Sequence, residues 1–431
     1  MTRRAEPGRF ELNSFIIRSI ATGNSVDIGS VVYSFGINES MSSGFVDGYA
    51  TVFDSTGLLY DLPIRGEEIV EITYTDFFDE VRTDKFFVYA IIDTKVSNQE
   101  KSEGKMLQYT LQFVSLAKLD TDKKRLRKSF TQDNIKEYVE RVFKENYEGG
   151  LNEKKLEAVE DTSGVQTIVV PNYTPEETMH LFSRRAYSDT YPEATFRFYE
   201  NRDKFYFTTT GNRISKSPET LTERYTFEYN AYPDNTPSGQ LRVMQSLIDI
   251  QLGELVDTFR DIKEGGYLKE IYEIDFINRT SVKTEYKYLD KYQSYSYPSG
   301  QPEAPYHSQK FVDDHFEMNK RKYAIKDYNN LGEPIATGLR PYPHYMESLS
   351  HKNTAFYHYS TNVLVLSVYG RNSLFAGDII QLDIPQFRFT QPGVPPETDA
   401  DRSGRYIVEA IKNEFVEDIY KQTLIVTKSG L

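Results

Sequence analysis

Two stretches in the first third of the chain alternate between apolar and polar residues. Val70, Ile72 and Tyr74 are the apolar positions within residues 67–75, and Leu107, Tyr109, Leu111 and Phe113 are those within residues 106–115. Because successive side chains of a strand point to opposite faces, this period predicts two antiparallel strands that are each buried on one face. The polar residues that alternate with the apolar ones include Glu71, Thr73, Thr75, Gln108, Thr110 and Gln112.

The middle of the chain changes to the period of a helix. Apolar residues between Ile135 and Phe143 recur at helical spacing, after a possible cap at Thr131 or Asp133. A second helix is predicted after Thr174, because Pro175 then takes the first helical position and Glu177 lies three residues after the cap. A hairpin is predicted over 194–207, with Phe196 and Phe198 facing Phe205 and Phe207 across a turn at Glu200-Asn201-Arg202-Asp203.

The pattern is less decisive between residues 240 and 345. Residues 240–260 fit a helix in part and a strand in part, so both stay open. From Tyr286 to Tyr345 the chain is rich in Tyr, Pro and Ser without a sustained period, which is typical of a long connecting excursion. Its tyrosines would form a binding surface or pack onto their own neighbours. Strands are predicted again at 362–368, 378–384, 406–411 and 420–427.

The two ends of the chain resemble each other weakly. The segment 66–72 shares its order of glycine, acid and strand residues with 377–383, and the strands that follow also correspond, 87–91 to 407–411 and 109–111 to 422–424. Two antiparallel sheets of similar strand length could look alike by chance. If the repeat is real, the chain carries two similar small β-barrels with an α/β insertion between them.

The predicted fold class is therefore α+β, mainly antiparallel β. The predicted domains are a first tube-like β-barrel, a helix-containing mixed domain, a continuation of that domain with the Tyr/Pro-rich excursion, part of which could belong to the second barrel, and a second tube-like β-barrel. Their bounds are 1–118, 119–215, 216–345 and 346–431.

Composition excludes several classes of protein. Lys and Arg number 51 against 64 Asp and Glu, a formal charge of −13, which argues against a surface built to hold nucleic acid phosphates. The absence of cysteine excludes disulfide scaffolds, Cys-ligated metals and thiol nucleophiles. The N-terminus lacks the apolar core of a signal peptide, and no apolar run approaches the roughly 20 residues of a membrane-spanning helix.

The chain shows no motif for catalysis or for binding a cofactor. Phosphate loops, HExxH and EF-hand spacings are missing, and no carboxylate pair stands out among the many acids. We predict no catalytic residue, no cofactor and no metal, since the histidines form only loose groups at Asp313-Asp314-His315 and at His344, His351 and His358. One basic run, 123–128, is a nucleic acid patch or, more simply, a solvated connection.

The chain resembles the baseplate central hub protein of T-even-type contractile phage tails, which is related to the hub part of type VI secretion spike proteins. The residues that carry the resemblance lie in a fixed order along most of the chain. They are the strand, basic run and helix start at 108–131, the helix entry Pro171-Asn172-Tyr173-Thr174-Pro175, the hairpin from Phe196 to Asn201, the weaker matches at Gly266-Tyr267, Asp275 and Tyr286-Lys287-Tyr288, and the C-terminal Tyr369-Gly370 and Gly377-Asp378-Ile379-Ile380.

The resemblance implies a structural protein without catalytic activity. It implies a homotrimer whose six similar barrels form a quasi-sixfold ring. The ring would join the tail tube protein to the central spike protein and would be surrounded by baseplate wedge proteins. DNA would transit the channel without specific binding during ejection, and an acidic lumen would favour sliding. The implied location is the virion, assembled in the host bacterial cytoplasm, without stable membrane insertion and with the spike as a separate chain.

Within this picture, the six polar residues named above would line the channel or a contact between barrels, although plain solvent exposure explains them equally well. Two other classes of function stay open. Alternating strands, many tyrosines and an excess of acidic residues also fit an outer-membrane β-barrel. The missing signal peptide and the two capped helices argue against that class. Tyrosine-rich surfaces would also suit a glycan-binding or glycan-degrading tail component.

Overall fold

The computed structural model describes most of the chain. The described residues are 6–55, 57–61, 64–98, 105–131, 133–216, 223–226, 236–253, 257–276, 278–316, 321–325, 328–329, 340–341, 345–359, 362–388 and 397–428. Antiparallel strands predominate and helices lie mainly in the middle of the chain, so the predicted α+β, mainly antiparallel class is confirmed. His344 of the histidine trio lies outside the described residues.

The N-terminal part is built from strands with two short helices. These elements are β1 (Glu11–Ser19), β2 (Ser25–Asp27), β3 (Val32–Ser40), β4 (Asp47–Asp54), α1 (Leu58–Asp61), β5 (Glu68–Thr75), β6 (Val81–Asn98), β7 (Lys105–Ser115) and α2 (Leu116–Asp122). The two strands predicted from alternation are β5 and β7, and their apolar residues are buried as expected.

Helices and short strands follow in the central part. They are β8 (Leu126–Phe130), α3 (Ile135–Asn146), β9 (Leu156–Val159), β10 (Ile168–Tyr173), α4 (Pro175–Arg185), β11 (Phe196–Glu200), β12 (Phe205–Thr209), α5 (Thr210–Lys216), β13 (Glu223–Thr226), α6 (Pro237–Met244), β14 (Leu247–Leu252) and α7 (Thr258–Glu264). The undecided stretch 240–260 thus contains both a strand and helical residues.

The remaining elements lead back to strands at the C-terminus. They are β15 (Leu268–Asp275), β16 (Thr280–Lys287), α8 (Gln309–His315), β17 (Arg321–Ile325), β18 (Tyr328–Asn329), β19 (Arg340–Pro341), α9 (Tyr345–Tyr359), β20 (Asn362–Tyr369), β21 (Ile379–Asp383), β22 (Gly404–Val416) and β23 (Ile419–Lys428). All four C-terminal strands predicted from the sequence are present.

One sheet of thirteen strands contains both ends of the chain. Its order is β14-β20-β23-β22-β3-β4-β7-β6-β5-β1-β2, while β21 pairs with β22 and β13 pairs with β21. We call β1 and β3–β7 the N-terminal β unit, and β13, β14 and β20–β23 the C-terminal β unit. Each unit has its own cluster of buried apolar side chains.

The repeat predicted from the sequence reappears in the strand pairing. In the N-terminal β unit the order is β3-β4-β7-β6-β5, and in the C-terminal β unit it is β14-β20-β23-β22-β21. Register shifts fall at matching positions, between Val88 and Ala90 on β6 and between Val408 and Ala410 on β22. The glycines that precede β5 and β21, Gly66 and Gly377, both have positive φ, 84° and 93°. The two units therefore share one pairing scheme.

The two units meet along a seam between β3 and β22. Antiparallel pairing runs from Ala410 opposite Ser40 to Val416 opposite Ser34. Phe415 of β22 stacks on Phe35 of β3 with ring centroids 4.2 Å apart, so it belongs to the core of the N-terminal β unit. Main-chain hydrogen bonds and shared apolar burial thus join the units into one continuous sheet.

A separate apolar core holds α3 and α4 against the hairpin β11–β12. The predicted capping box of α4 is present, because Thr174 accepts from the Glu177 N–H and Glu177 accepts in return from the Thr174 N–H. The predicted cap of α3 is wrong by one residue. Asn134 accepts from the Glu137 N–H, whereas Asp133 pairs with Arg141. In the hairpin, Phe198 lies opposite Phe207 as predicted.

The tyrosines of the excursion pack against their own chain. Tyr286, Tyr288, Tyr295 and Tyr297 are at most 8% exposed and belong to one buried cluster. The rings of His351 and His358, on α9, pack against this cluster. Of the two alternatives for these tyrosines, the structure favours packing onto their own neighbours. Side chains that are large and apolar except for a hydroxyl build a core here without a regular period.

Candidate assembly surfaces

Eight neighbouring strands present a face of mixed polar and apolar side chains on the side away from the two β-unit cores; its exposed apolar residues include Ile92, Val416 and Ile425. These strands run β14-β20-β23-β22-β3-β4-β7-β6, across both units and the seam. On each strand, every second residue points to this side, and strand pairing places these residues next to their partners on the neighbouring strands. We call this surface the sheet face. Its best-defined row is Glu414, Gly36, Tyr49, Gln112 and Ala90, each opposite the next.

Three of the six predicted residues lie on the sheet face. Gln108, Thr110 and Gln112 project from β7 and are partly exposed in the single chain. Thr110 lies opposite Thr51 on one side and Ile92 on the other. The predicted strand polarity is therefore correct, and the structure brings these three residues into a surface that β7 shares with seven other strands.

The other three predicted residues lie elsewhere, on β5. Glu71 and Thr73 are opposite Lys85 and Thr83 of β6, whereas Gln108 is opposite Lys95, ten residues further along the same strand. Gln112 is nearer, because it lies opposite Ala90. At about 3.3 Å per residue, the two sets are separated along β6 by roughly 17 Å at their near ends and roughly 33 Å from Glu71 to Gln108. Lys85 also pairs with Glu153 of the central part at 3.0 Å, so this side faces another part of the chain.

Thr75 does not share the exposure of its neighbours. Its side chain is 5% exposed, and its hydroxyl donates to the Asn13 Oδ1 at 2.8 Å. The cause is a register shift between Leu12 and Ser14, which places Asn13 over the end of β5. Alternation on β5 alone could not reveal this, because the bulge belongs to the neighbouring strand.

Charges of both signs occupy the sheet face. The acidic residues are Asp47, Asp249 and Glu414, and the basic ones are Lys95, Lys412 and Lys421. Lys412 and Glu414 pair at 2.7 Å. The excess of acid in the chain is therefore not concentrated on this surface.

A buried arginine ties the central part to both β units. Arg202, in the turn between β11 and β12, donates to Glu39 of β3 at 2.8 Å, to the Tyr74 hydroxyl of β5 at 3.0 Å and to the Leu374 carbonyl at 2.9 Å. Both members of the Arg202–Glu39 pair have fully buried side chains. The nearby Glu200 accepts from Ser115 and from Lys154, and its burial raises the pKa of the Glu200 carboxyl.

Sequence reasoning assigned these residues only to a hairpin turn. Glu200 and Arg202 are charged residues in a four-residue turn, which ordinarily face water. Only the packing of the turn against β3, β5 and the segment before β21 shows their role. A charged pair separated by 163 positions leaves no local pattern in the sequence.

The basic run 123–128 is largely engaged within the chain. Lys123 pairs with Asp120, and Lys124 donates to the Asn146 carbonyl. Arg127 donates to the Asn172 side chain, and Lys128 pairs with Glu145. These contacts favour the structural interpretation over a nucleic acid patch.

Two kinds of feature are absent from the described residues, a metal-ligating cluster and a membrane-spanning helix. Within the part of the chain that the structure describes, no three His, Asp or Glu side chains converge in a way that could hold a metal ion. Among the same residues, no helix has the length and apolarity needed to cross a bilayer. His351 and His358 pack against the tyrosine cluster, where burial lowers the pKa of His358 to about 3.

Comparison with solved structures identifies the fold. A tail protein from Neisseria meningitidis MC58 superimposes with a TM-score of 0.52 at 9% identity, covering 97% of this chain and 96% of that chain. The 43 kDa tail protein of prophage MuSo2 from Shewanella oneidensis gives 0.53 at 9% identity, covering 96% and 98%. The chain has a phage tail-protein fold. The predicted resemblance to phage baseplate hub proteins is therefore confirmed at the level of the fold. No protein-family model matches the chain, and no curated protein sequence is similar to it.

Proposed function

We propose that this chain is a structural baseplate hub protein of a contractile phage tail. Three copies form a ring with quasi-sixfold outline that joins the tail tube protein to the central spike protein, inside the baseplate wedge proteins. The two β units are its two tube-like barrels, and the protein has no catalytic role. The virion is its place of action, after assembly in the cytoplasm of the host.

The observation that carries this proposal is that two equivalent strands differ in pairing: one is paired on both edges, and the other is paired on one edge only among the described strands. The second half of β22 pairs with β23 on one edge and with β3 on the other. The equivalent half of β6 pairs with β7, and none of the described strands covers its other edge. β14, the equivalent of β3, likewise has an open edge among the described strands.

Open edges with unpaired main-chain groups favour pairing with another chain. In the proposed ring, the free edge of β6 pairs with β14 of the next copy and repeats the seam between β3 and β22. The repeat also predicts the register. Glu414 lies opposite Gly36 within the chain, and their equivalents are Lys95 and Gln251, so these two residues would face each other between copies.

In this ring the sheet face lines the channel, with Gln108, Thr110 and Gln112 exposed to the lumen. Balanced charges and neutral polar side chains bind phosphates weakly, which lets DNA pass without a specific complex. Glu71 and Thr73, on the other side of the N-terminal β unit, would take part in a contact between barrels. Thr75 contributes to neither surface, because it is buried within the chain.

The first test is the oligomeric state of the purified full chain. Light scattering combined with negative-stain images is expected to show a trimeric ring with a central hole. If the chain is a stable monomer both alone and after addition of a tail tube and spike protein from the same tail, the ring proposal is wrong.

A disulfide test addresses the register, since the chain contains no natural cysteine. The double variant Lys95→Cys/Gln251→Cys should form interchain disulfides under oxidation, because directly opposed residues of antiparallel strands lie within disulfide reach. Covalent dimers and trimers are expected on non-reducing gels. The matched control is Lys95→Cys/Glu148→Cys, in which the second cysteine is exposed after α3. Equal crosslinking in both variants would contradict the proposed edge pairing.

A further inference from the structure

The seam within the chain buries apolar side chains that come from the opposite β unit. Phe415 of β22 is 1% exposed, and its ring centroid lies 4.2 Å from that of Phe35 and 4.8 Å from that of Tyr74, both in the N-terminal β unit. Tyr420 of β23 stacks on Phe415 with centroids 4.1 Å apart. Both residues belong to the core of the N-terminal β unit, so β22 and β23 of the other unit complete that core.

The equivalent of Phe415 at the free edge of β6 is Val96. Phe415 lies opposite Tyr420 of β23, and Val96 lies opposite Leu107 of β7, which takes the place of Tyr420 in the repeat. The match is made through these partners, because β6 has a second register shift, after Ile92, that β22 lacks. Leu107 packs against the core of its own unit, and directly opposed residues share one face of a sheet. Val96 therefore points to the core side, yet it is 61% exposed.

The free edge of β14 matches β3 in detail. The pairing of β3 with β4 shifts its register between Val32 and Ser34, and the pairing of β14 with β20 shifts its register between Leu247 and Asp249. Both shifts lie at the same place in the repeat. The two strands therefore present their side chains in the same order, and β14 offers the surface that β3 offers at the seam.

The apolar residues of β14 nevertheless differ in exposure from those of β3. Phe35 is 2% exposed and Ile37 is fully buried, because β22 covers them. Their equivalents are Ile250, which is only partly buried against the core of the C-terminal β unit, and Leu252, which is 37% exposed. The positions that are apolar and buried at the seam are thus apolar and exposed at both free edges.

We infer that Val96 of one copy completes the apolar core of the C-terminal β unit of the next copy. It would lie beside Ile250 and Leu252, as Phe415 lies beside Phe35 within the chain. The inference rests on the proposed ring and adds a side-chain contact to its edge pairing. The occupant is a second copy, because each chain carries both halves of a junction that it already forms once internally.

This contact would also select the register between copies. A slip by one residue would turn Val96 to the opposite face of the sheet and leave the apolar residues of β14 uncovered. Main-chain hydrogen bonds alone would form equally well in either register, since they do not depend on the side chain. Exposed apolar residues on an open strand edge also invite unspecific association, which the filled position would prevent.

The test compares Val96→Ser with Val169→Ser in the full chain. Val169 on β10 of the central part is 66% exposed, so it matches Val96 in residue type and exposure. Light scattering over a dilution series measures the concentration at which half of the chain is trimeric, with the tube and spike proteins present if the natural chain needs them. Val96→Ser should raise this concentration at least about tenfold, because an apolar contact is lost at every interface of the ring, and Val169→Ser should not change it.

A second variant examines the opposite side of the contact. Leu252→Ser should also weaken the trimer, and the double variant Val96→Ser/Leu252→Ser should lose less than the two single variants combined, since neighbouring residues share the contact. If the natural chain forms the ring and Val96→Ser assembles as well as Val169→Ser, this inference is overturned while the ring stands. If the natural chain forms no ring, both fail together.

The thermal midpoint of the dilute single chain provides the remaining control. It should be the same for Val96→Ser and Val169→Ser, because both side chains are mostly exposed before assembly. A clearly lower midpoint for Val96→Ser would place Val96 in the core of its own copy, and would overturn the inference.

Discussion

The two β units share a pairing scheme but differ in their outermost strand. In the N-terminal β unit, β1 runs antiparallel to β5, whereas in the C-terminal β unit, β13 runs parallel to β21. β1 has nine residues and β13 only four, and β13 follows the central helices. The five-stranded pairing scheme is thus the repeated element. Whether the sixth strand is parallel or antiparallel depends on the direction in which the chain enters the sheet.

The two units also differ in which strand edges form main-chain hydrogen bonds within the chain and which are open to pair with another copy. β22 has a strand on each side of its second half, and β6 has only one among the described strands. Equivalent strands with unequal pairing indicate where another copy would complete the sheet.

The largest effect is expected where the two units meet through Arg202. Arg202→Met leaves Glu39 buried without its cation, which should cost about 3–5 kcal/mol of unfolding free energy. Urea unfolding of the full chain measures this loss. The control is Arg9→Met, since Arg9 forms an exposed pair with Asp418 and its loss should cost under about 1 kcal/mol. A similar small loss in both variants would show that the units are not joined through Arg202.

Equivalent core positions should respond alike. Leu111 and Leu424 match in the repeat and are both fully buried, so Leu111→Ala and Leu424→Ala should each cost about 2–5 kcal/mol. Because Phe415 of the C-terminal β unit lies in the core of the N-terminal β unit, one cooperative transition should move in both variants. Far-UV circular dichroism during urea unfolding measures this. Two separate transitions, each sensitive to one variant, would contradict a shared fold.

Acid should weaken the tyrosine cluster rather than either β unit. His358 stacks on Tyr288 with centroids 3.6 Å apart, and its Nε2 lies 2.9 Å from the Gly266 carbonyl oxygen. Burial lowers the pKa of His358 from 6.5 to about 3, so the unfolded chain binds this proton first as the pH falls. Stability from His358 is complete above pH 6.5 and falls by about 2 kcal/mol at pH 5.

The matched variant for this effect is His358→Gln, whose amide can still donate to Gly266 but does not titrate. Unfolding free energies at pH 8 and pH 5 should differ by about 2 kcal/mol less in the variant than in the natural chain. An equal pH dependence in both proteins would show that His358 is already free to bind a proton in the folded state.

The smallest effect concerns the two glycines before β5 and β21. Gly66→Ala should cost about 1–2 kcal/mol, because an alanine at positive φ is strained. Gly377→Ala should cost more, since its Cβ would lie 2.5 Å from the Tyr199 hydroxyl, whereas the nearest atom to a Cβ at position 66 is 3.6 Å away. Thermal midpoints of the two variants test the order. The reverse order would mean that the two turns are less equivalent than their pairing indicates.

Much of the fold was predictable wherever the signal is local. Alternation on β5 and β7, the capping box at Thr174 and the glycine before each β5-like strand all act within a few residues. The cap at Asn134 was missed because three neighbouring polar residues offered the same chemistry. The choice between a binding surface and a packed core for the excursion could not be made from the sequence, because a core of tyrosines and histidines has neither helical nor strand period.

The sequence by itself determined the strand faces, the main helix starts and the resemblance between the two ends, since these depend on spacing along the chain. Only the tertiary structure decided that β3 pairs with β22, that Thr75 is buried by a bulge on β1, and that Arg202 meets Glu39. Such contacts join residues far apart in the chain, and their free energy depends on burial and geometry that no local pattern records.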